Sequence, residues 1–125
     1  MSISTLYTTS CFEYHPDTGL VISTIELNPA HPVFSGHFPG NPVLPGICTL
    51  QIAKELLSRA LGGNYRISKA STIKYLGFVN PVLTPEMTFQ HTLKHVENGA
   101  VQSSVTVTAS GNTVCTFKAE YIAES

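Results

Sequence analysis

One segment of this 125-residue chain has the spacing of an amphipathic helix, and strand patterns lie on both sides of it. Apolar residues recur at helical intervals over residues 47–61. Pro45 suits the position at or just before the first helical residue, and Gly62 followed by Gly63 marks the end. Because a single helix of about four turns needs a large apolar cover, we expect a sheet that curls around it.

The remaining segments predict strands separated by turns. Residues 3–12 and 20–27 alternate apolar and polar side chains, and the turn signal PDTG at 16–19 joins them into a hairpin. Later strands are bounded by turn signals at 80–81, 98–99 and 110–112, and we predict them over residues 68–79, 87–96, 100–109 and 113–122. The pattern indicates an α+β fold with an antiparallel sheet, in a single domain over residues 1–125.

Composition excludes several classes of function. The chain is 42% hydrophobic and only 12% charged, which argues against disorder and suggests that part of its surface is buried in a subunit interface. A net charge of -1 gives no electrostatic footprint for nucleic acid. The cysteines, Cys11, Cys48 and Cys115, lack the paired spacing of a disulfide framework or a zinc site.

The chain also lacks the signals of export and membrane insertion. Its first ten residues have neither the basic start nor the apolar region of a signal peptide. No apolar run approaches the roughly 18 residues of a membrane span. We therefore expect a cytoplasmic protein that binds neither membrane nor nucleic acid and contains no metal.

The segment before the predicted helix, GHFPGNPVLPG at 36–46, places His37 among three prolines and three glycines. Proline fixes φ and glycine permits close backbone approach, so such a loop can lie rigidly against a ligand. The helix start offers unpaired N–H groups, with Gly46 the expected donor, and these favour a carbonyl oxygen. A histidine beside such a donor is a workable general base for a C–H acid whose carbonyl is polarised. The alternative is a structural histidine in a stiff crossover.

Residues 36–46 resemble the signature of the β-hydroxyacyl-(acyl carrier protein) dehydratases of the hotdog fold. That family has Gly-His-Phe-Pro-Gly, a short spacer, and Pro-Val-(apolar)-Pro-Gly leading into the central helix. Residues 77–82 (GFVNPV) resemble its later strand, which ends in Phe-x-x-Pro-Val. The resemblance implies a curved antiparallel sheet wrapped around one helix, and a homodimer or a trimer of dimers with active sites at the dimer interface. It implies no metal or redox cofactor.

The resemblance also implies a reaction. His37 would remove the C2 proton of a (3R)-3-hydroxyacyl thioester, and the N–H of Gly46 would hold the thioester carbonyl. A carboxylate on the partner's helix would protonate the departing hydroxyl and leave a trans-2-enoyl thioester. Apolar residues, with Ile47 and Leu76 among them, would line an acyl tunnel, although ordinary core packing is the alternative for most of these. The substrate-binding residues implied are Phe38, Pro39, Gly40, Val43, Leu44, Pro45, Leu50 and Phe78.

The chain departs from the family at Gln51, where the carboxylate is expected, and has Glu55 where the family often has glutamine. A primary amide cannot exchange protons as a carboxylic acid does. Three interpretations stay open. Glu55 supplies the acid from about 6 Å further along the helix; His37 makes both proton transfers while Gln51 orients the hydroxyl or a water; or elimination is lost and the chain only binds acyl thioesters. For Glu55 the alternative is a solvated residue paired with Arg59.

A carrier-protein partner needs positive charge on this chain, because acyl carrier proteins are acidic. The family often has Arg or Lys just before Pro-Val of the later strand, where this chain has Val79 and Asn80. A patch of Arg66, Lys69, Lys74 and Lys54 is the substitute that the sequence offers. A coenzyme A thioester stays open as the substrate. A hotdog thioesterase is a further alternative, but the loop has no acidic residue suited to activating water.

Four other residues are given no part in the chemistry. Cys48 follows the motif and is predicted to be a small packing residue of the helix. His31 precedes a proline and is predicted to have a structural role. His91 and His95 lie four apart in a predicted strand, without metal-ligand context, and are predicted at the surface.

Overall fold

A computed structural model describes residues 5–35, 40, 42–95 and 97–124. Strands β1 and β2 form the predicted hairpin, and a short 3-10 helix (Pro32–Phe34) precedes helix α1. Four further strands follow the helix. The elements are β1 (Tyr7–His15), β2 (Leu20–Leu27), α1 (Gly46–Leu61), β3 (Tyr65–Tyr75), β4 (Glu86–His95), β5 (Val101–Ala109) and β6 (Asn112–Ala123).

The strands form one six-stranded sheet in the order β1-β2-β4-β5-β6-β3. Every neighbouring pair is antiparallel. The middle strands alternate buried and exposed residues, so one face of the sheet is solvated and the other packs against the core. The predicted α+β architecture, with one helix against an antiparallel sheet, is confirmed.

Helix α1 begins and ends close to the predicted residues. Pro45, in an extended conformation, precedes the first helical residue, and Gly62 ends the helix with a φ of +76°. The N–H of Gly62 donates to the carbonyl of Ser58, as in a left-handed helix cap. One side of the helix is buried, and Cys48 is part of it, which confirms its predicted packing role.

The end of β3 lies four residues before the predicted one. The N–H groups of Leu76 and Gly77 both donate to the carbonyl of Val114, so the regular ladder with β6 ends there. From residue 76 the chain leaves the sheet and runs past the start of helix α1, where the N–H of Leu44 donates to the carbonyl of Val79. The whole GFVNPV segment (77–82) therefore lies outside strand β3, in a loop that borders the helix start.

The prediction that His91 lies at the surface is wrong. His91 is fully buried, and its Nε2 lies 2.9 Å from the carbonyl oxygen of Ala53 in helix α1. It shares the inner face of β4 with Met87 and Phe89, because side chains two apart on a strand point the same way. His95 is exposed as predicted, and His31 is buried with Nδ1 accepting from the N–H of Val33, which confirms a structural role.

Candidate active site

A cavity of about 480 Å³ opens at the start of helix α1. Its walls are mostly apolar and come from three parts of the chain. Segment 43–46 forms one wall and segment 75–79 forms another, and Thr49, Val114 and Cys115 complete the lining. The bonds from Leu44 to Val79 and from residues 76–77 to Val114 fix these walls through the backbone.

The helix start borders this cavity without a side-chain cap. Pro45 occupies the capping position and has no side chain able to accept from the first helical N–H groups. Gly46, the first helical residue, lines the cavity. A Cβ on Gly46 would lie 2.7 Å from Cζ of Tyr75, so the ring of Tyr75 and the helix start approach as closely as glycine allows.

Several of the predicted site residues meet in this cavity. Val43, Leu44, Pro45, Gly46 and Phe78 all line it, and Leu76 joins them. Phe78 is 90% exposed, so its ring forms part of the open rim rather than of the protein core.

Other predicted residues lie elsewhere. Leu50 is half-buried and packs against the hydrophobic core outside the cavity, and Ile47 is 67% exposed. Gly40 lies in a turn with a φ of +81°, a conformation that favours glycine, and it is not part of the cavity lining. His37, Phe38 and Pro39 lie outside the described residues.

The sequence did not point to Thr49, Tyr75, Val114 or Cys115 as cavity residues. Thr49 lies one turn after Gly46, so helical spacing is a signal that would have found it. Tyr75 pairs with Cys115 across β3 and β6. That pairing joins segments 40 residues apart, and nothing in the local sequence indicates it.

Gln51 and Glu55 lie on one flank of helix α1, one turn apart, and both are half-buried. Neither lines the cavity of its own chain. Glu55 accepts a hydrogen bond of 2.6 Å at Oε1 from the hydroxyl of Tyr7. Burial, followed by this bond to Glu55, raises the pKa of Tyr7, which keeps its phenol protonated as a donor.

The expected pairing of Glu55 with Arg59 is wrong. No ion pair joins these two described residues. The guanidinium of Arg59 lies over the ring of Phe12, 4.3 Å from its centroid, while Glu55 turns to Tyr7. Both contacts reach strand β1, so tertiary packing displaces the weak pairing within the helix.

The described part of the chain offers neither a metal site nor a membrane-spanning helix. No cluster of three or more His, Cys, Asp or Glu side chains there could hold a metal ion. No helix there is long and apolar enough to cross a membrane.

An antiparallel sheet around one helix, with a cavity at the helix start, defines a protein of the hotdog fold. The dehydratase heterocomplex ApeI:P from Xenorhabdus doucetiae has this fold: the TM-score is 0.73 at 16% identity, over 92% of this chain and 96% of that one. A protein described as a hypothetical thioesterase, with coenzyme A, from Streptococcus pneumoniae is similar with a TM-score of 0.67 at 18% identity, over 99% of this chain and 91% of that one.

The sequence then identifies the family. The model of the ApeI-like family, described as ApeI dehydratase, matches residues 13–117, and the chain belongs to this family of hydro-lyases. It is 30% identical over 99 residues to a 3-hydroxyacyl-(acyl-carrier-protein) dehydratase FabZ of Latilactobacillus sakei, covering 74% of this chain and 69% of the relative. Identity to the FabZ of Sinorhizobium medicae is 27% over 89 residues, covering 68% of this chain but only 56% of the relative's length.

Proposed function

We propose that this chain eliminates water from a (3R)-3-hydroxyacyl thioester on an acyl carrier protein and releases a trans-2-enoyl thioester, in fatty-acid or polyene-type synthesis. The observation that carries the proposal is the apolar cavity that ends at the uncapped helix start of Gly46. The dehydratase signature with His37 lies immediately before that helix start. An apolar chain would occupy the cavity, and its thioester would lie at the helix start.

In the proposed reaction His37 takes the proton from C2. The electron pair of the broken C2–H bond forms the C2=C3 double bond as the C3–O bond breaks. The N–H of Gly46 donates to the thioester oxygen and stabilises the negative charge that develops there. The departing hydroxyl takes one proton and leaves as water, so no cofactor takes part.

The source of that second proton is the open step. Oε1 of Glu55 already accepts from Tyr7 of the same chain, and the pair lies away from the cavity of that chain. This arrangement favours the route in which His37 returns the proton to the hydroxyl while Gln51 of a second subunit orients it. The amide of Gln51 can donate and accept hydrogen bonds at once, which suits an orienting role.

Strand β3 offers a surface on which a second subunit could pair. Residues 1–125 would form one hotdog domain, and β3 is an edge strand of its sheet that is exposed over most of its length. The apolar side chains of Ile73 and Tyr75 are exposed along it, close to those of Leu76 and Phe78. A long edge with exposed apolar residues is suited to pairing with another chain. We propose a homodimer through this edge, with a trimer of dimers as the alternative assembly.

Positive charge on the outer face of the sheet supports an acidic carrier as partner. Lys69, Lys94 and Lys118 line a polar groove of about 400 Å³ there, with Glu120 as the acidic residue in its lining. Of the patch predicted from the sequence, Lys69 belongs to this groove, whereas Lys54 lies on helix α1. A coenzyme A thioester is the alternative substrate. A carrier-dependent function implies the cytoplasm as its compartment.

To test this, purified protein is incubated with a 3-hydroxyacyl thioester of carrier protein and, in a separate assay, with one of coenzyme A. Mass spectrometry identifies the products. We expect enoyl thioester from the native chain and none from His37→Ala. Because Gln51 stands where the family has a carboxylate, a non-catalytic acyl-binding module is the second candidate function. That candidate is supported if the native chain forms no enoyl product and Gln51→Glu gains the activity. Release of free acid would instead indicate a thioesterase.

A further inference from the structure

Four polar side chains on the inner face of the sheet have buried polar atoms without a hydrogen-bond partner in the described structure. They are Oγ of Ser23, Nδ1 of His91, Oγ of Ser103 and the hydroxyl of Tyr121. Each of the four residues is at most 2% exposed. Because buried polar groups in native proteins are nearly always hydrogen-bonded, four orphans in one core need an explanation.

The four residues form one diagonal line across the sheet, called here the polar diagonal. They lie on β2, β4, β5 and β6, which are consecutive neighbours in the sheet. For the first three members, the residue directly opposite on the next strand is not the next member of the line. The next member lies two residues along that strand from the opposite residue. Those facing residues are Phe89 for Ser23, Val105 for His91 and Ala119 for Ser103.

This spacing suits bridging water. Diagonal neighbours in an antiparallel sheet are about 7–8 Å apart, and no direct hydrogen bond joins any neighbouring pair of these four described side chains. A water between two polar atoms spans roughly 5 Å and satisfies both. Leaving all four groups unsatisfied would cost free energy comparable with the whole stability of a small domain.

His91 connects the polar diagonal to helix α1, and this connection determines which ring nitrogen of His91 carries the hydrogen. Nε2 of His91 bonds to the carbonyl oxygen of Ala53, and a carbonyl can only accept, so Nε2 carries the ring proton. Nδ1 is then an unprotonated acceptor that needs a donor. The hydroxyls of Ser23 and Ser103, on either side of His91, can supply one through a water.

We propose that the polar diagonal (Ser23, His91, Ser103 and Tyr121) holds ordered water molecules that satisfy these four groups and, through His91 and Ala53, fix helix α1 on the sheet. The inference is independent of the proposed function.

The test depends on the sign of a stability change. Ser23→Ala, Ser103→Ala and Tyr121→Phe each remove one hydroxyl and little else. If waters bridge these hydroxyls, each variant unfolds at a lower urea concentration than the native protein. If the hydroxyls are unsatisfied, removing them raises the midpoint, and the proposal is overturned. Ser104→Ala is the matched control, because Ser104 is the exposed neighbour of Ser103 on the same strand and should leave the midpoint unchanged.

A second measurement uses the unmutated protein. A crystal structure that resolves ordered water should show density between neighbouring members of the polar diagonal, within hydrogen-bond distance of Nδ1 of His91. Nitrogen-15 NMR of the His91 ring should report the tautomer with hydrogen on Nε2. A dry diagonal, or a hydrogen on Nδ1, would contradict the proposal.

Discussion

The hydroxyl of Tyr7 on strand β1 donates a 2.6 Å hydrogen bond to Oε1 of Glu55 on helix α1. The bond joins an edge strand to the helix that borders the cavity, and it explains why Glu55 makes no ion pair with Arg59 four residues later. Glu55, the acidic residue that could replace the carboxylate missing at position 51, is therefore hydrogen-bonded within its own chain.

Removing this bond should weaken the fold. We expect Tyr7→Phe to lower the free energy of unfolding by about 1–2 kcal/mol, since a bond to a charged group is stronger than average but Tyr7 is only half-buried. Urea denaturation measures the change. Tyr14→Phe is the control on the same strand, because the hydroxyl of Tyr14 makes no hydrogen bond within the described residues. Equal midpoints for the two variants would show that the Tyr7 bond adds nothing.

The same contact predicts a modest effect of Glu55→Gln on dehydration. If His37 returns the proton, the variant should keep kcat within about tenfold of native, because removal of a general acid typically costs 10²–10⁴. Steady-state kinetics with a 3-hydroxyacyl thioester measures this. A loss of several hundredfold would assign the acid to Glu55 instead.

The contact between Gly46 and Tyr75 predicts a reversal of sign in a double-mutant cycle. Gly46→Ala places a Cβ 2.7 Å from the Tyr75 ring, so we expect a loss of about 1 kcal/mol of unfolding free energy. In a Tyr75→Ala background the clash is gone, and alanine's better helix propensity should make the same change stabilising by up to about 1 kcal/mol. Additive effects in the two backgrounds would mean that the ring does not restrict this position.

His91 predicts a loss of stability on acidification. Burial lowers its pKa from 6.5 to about 4, with the bond to Ala53 opposing the change. The unfolded chain therefore binds a proton that the folded chain does not, so stability is full above about pH 6.5 and falls as the pH drops toward 4, by about 3 kcal/mol. Urea midpoints measured between these pH values should show this fall in the native protein. His91→Phe should flatten this part of the profile, and an unchanged slope would exclude His91 as its source.

The sequence could predict the elements because local chemistry determines them. Pro45 and Gly62 bound the helix, and β2 has the predicted limits because its alternation is regular. The sequence does contain a signal for the burial of His91, since its position is in phase with Met87 and Phe89 on the buried face of β4. A polar residue in a strand is exposed to solvent only if it lies on the solvent-facing side of the sheet.

The cavity was only partly predictable. Val43 to Gly46 could be found from the motif, because those residues directly precede the helix. The walls from Val114 and Cys115 depend on the register of β6 against β3, which is a property of the folded sheet. The Tyr7 bond to Glu55 likewise joins residues 48 apart, and no local pattern indicates it.

The most direct test of the central claim is the fate of the C2 hydrogen. The reverse reaction, hydration of a trans-2-enoyl thioester, should be run in D2O and its product examined by NMR. We predict one deuterium at C2 with the native protein and no hydration with His37→Ala, while both proteins still bind the thioester. Hydration with deuterium incorporation by the variant at the native rate would contradict the assignment of His37 as the base.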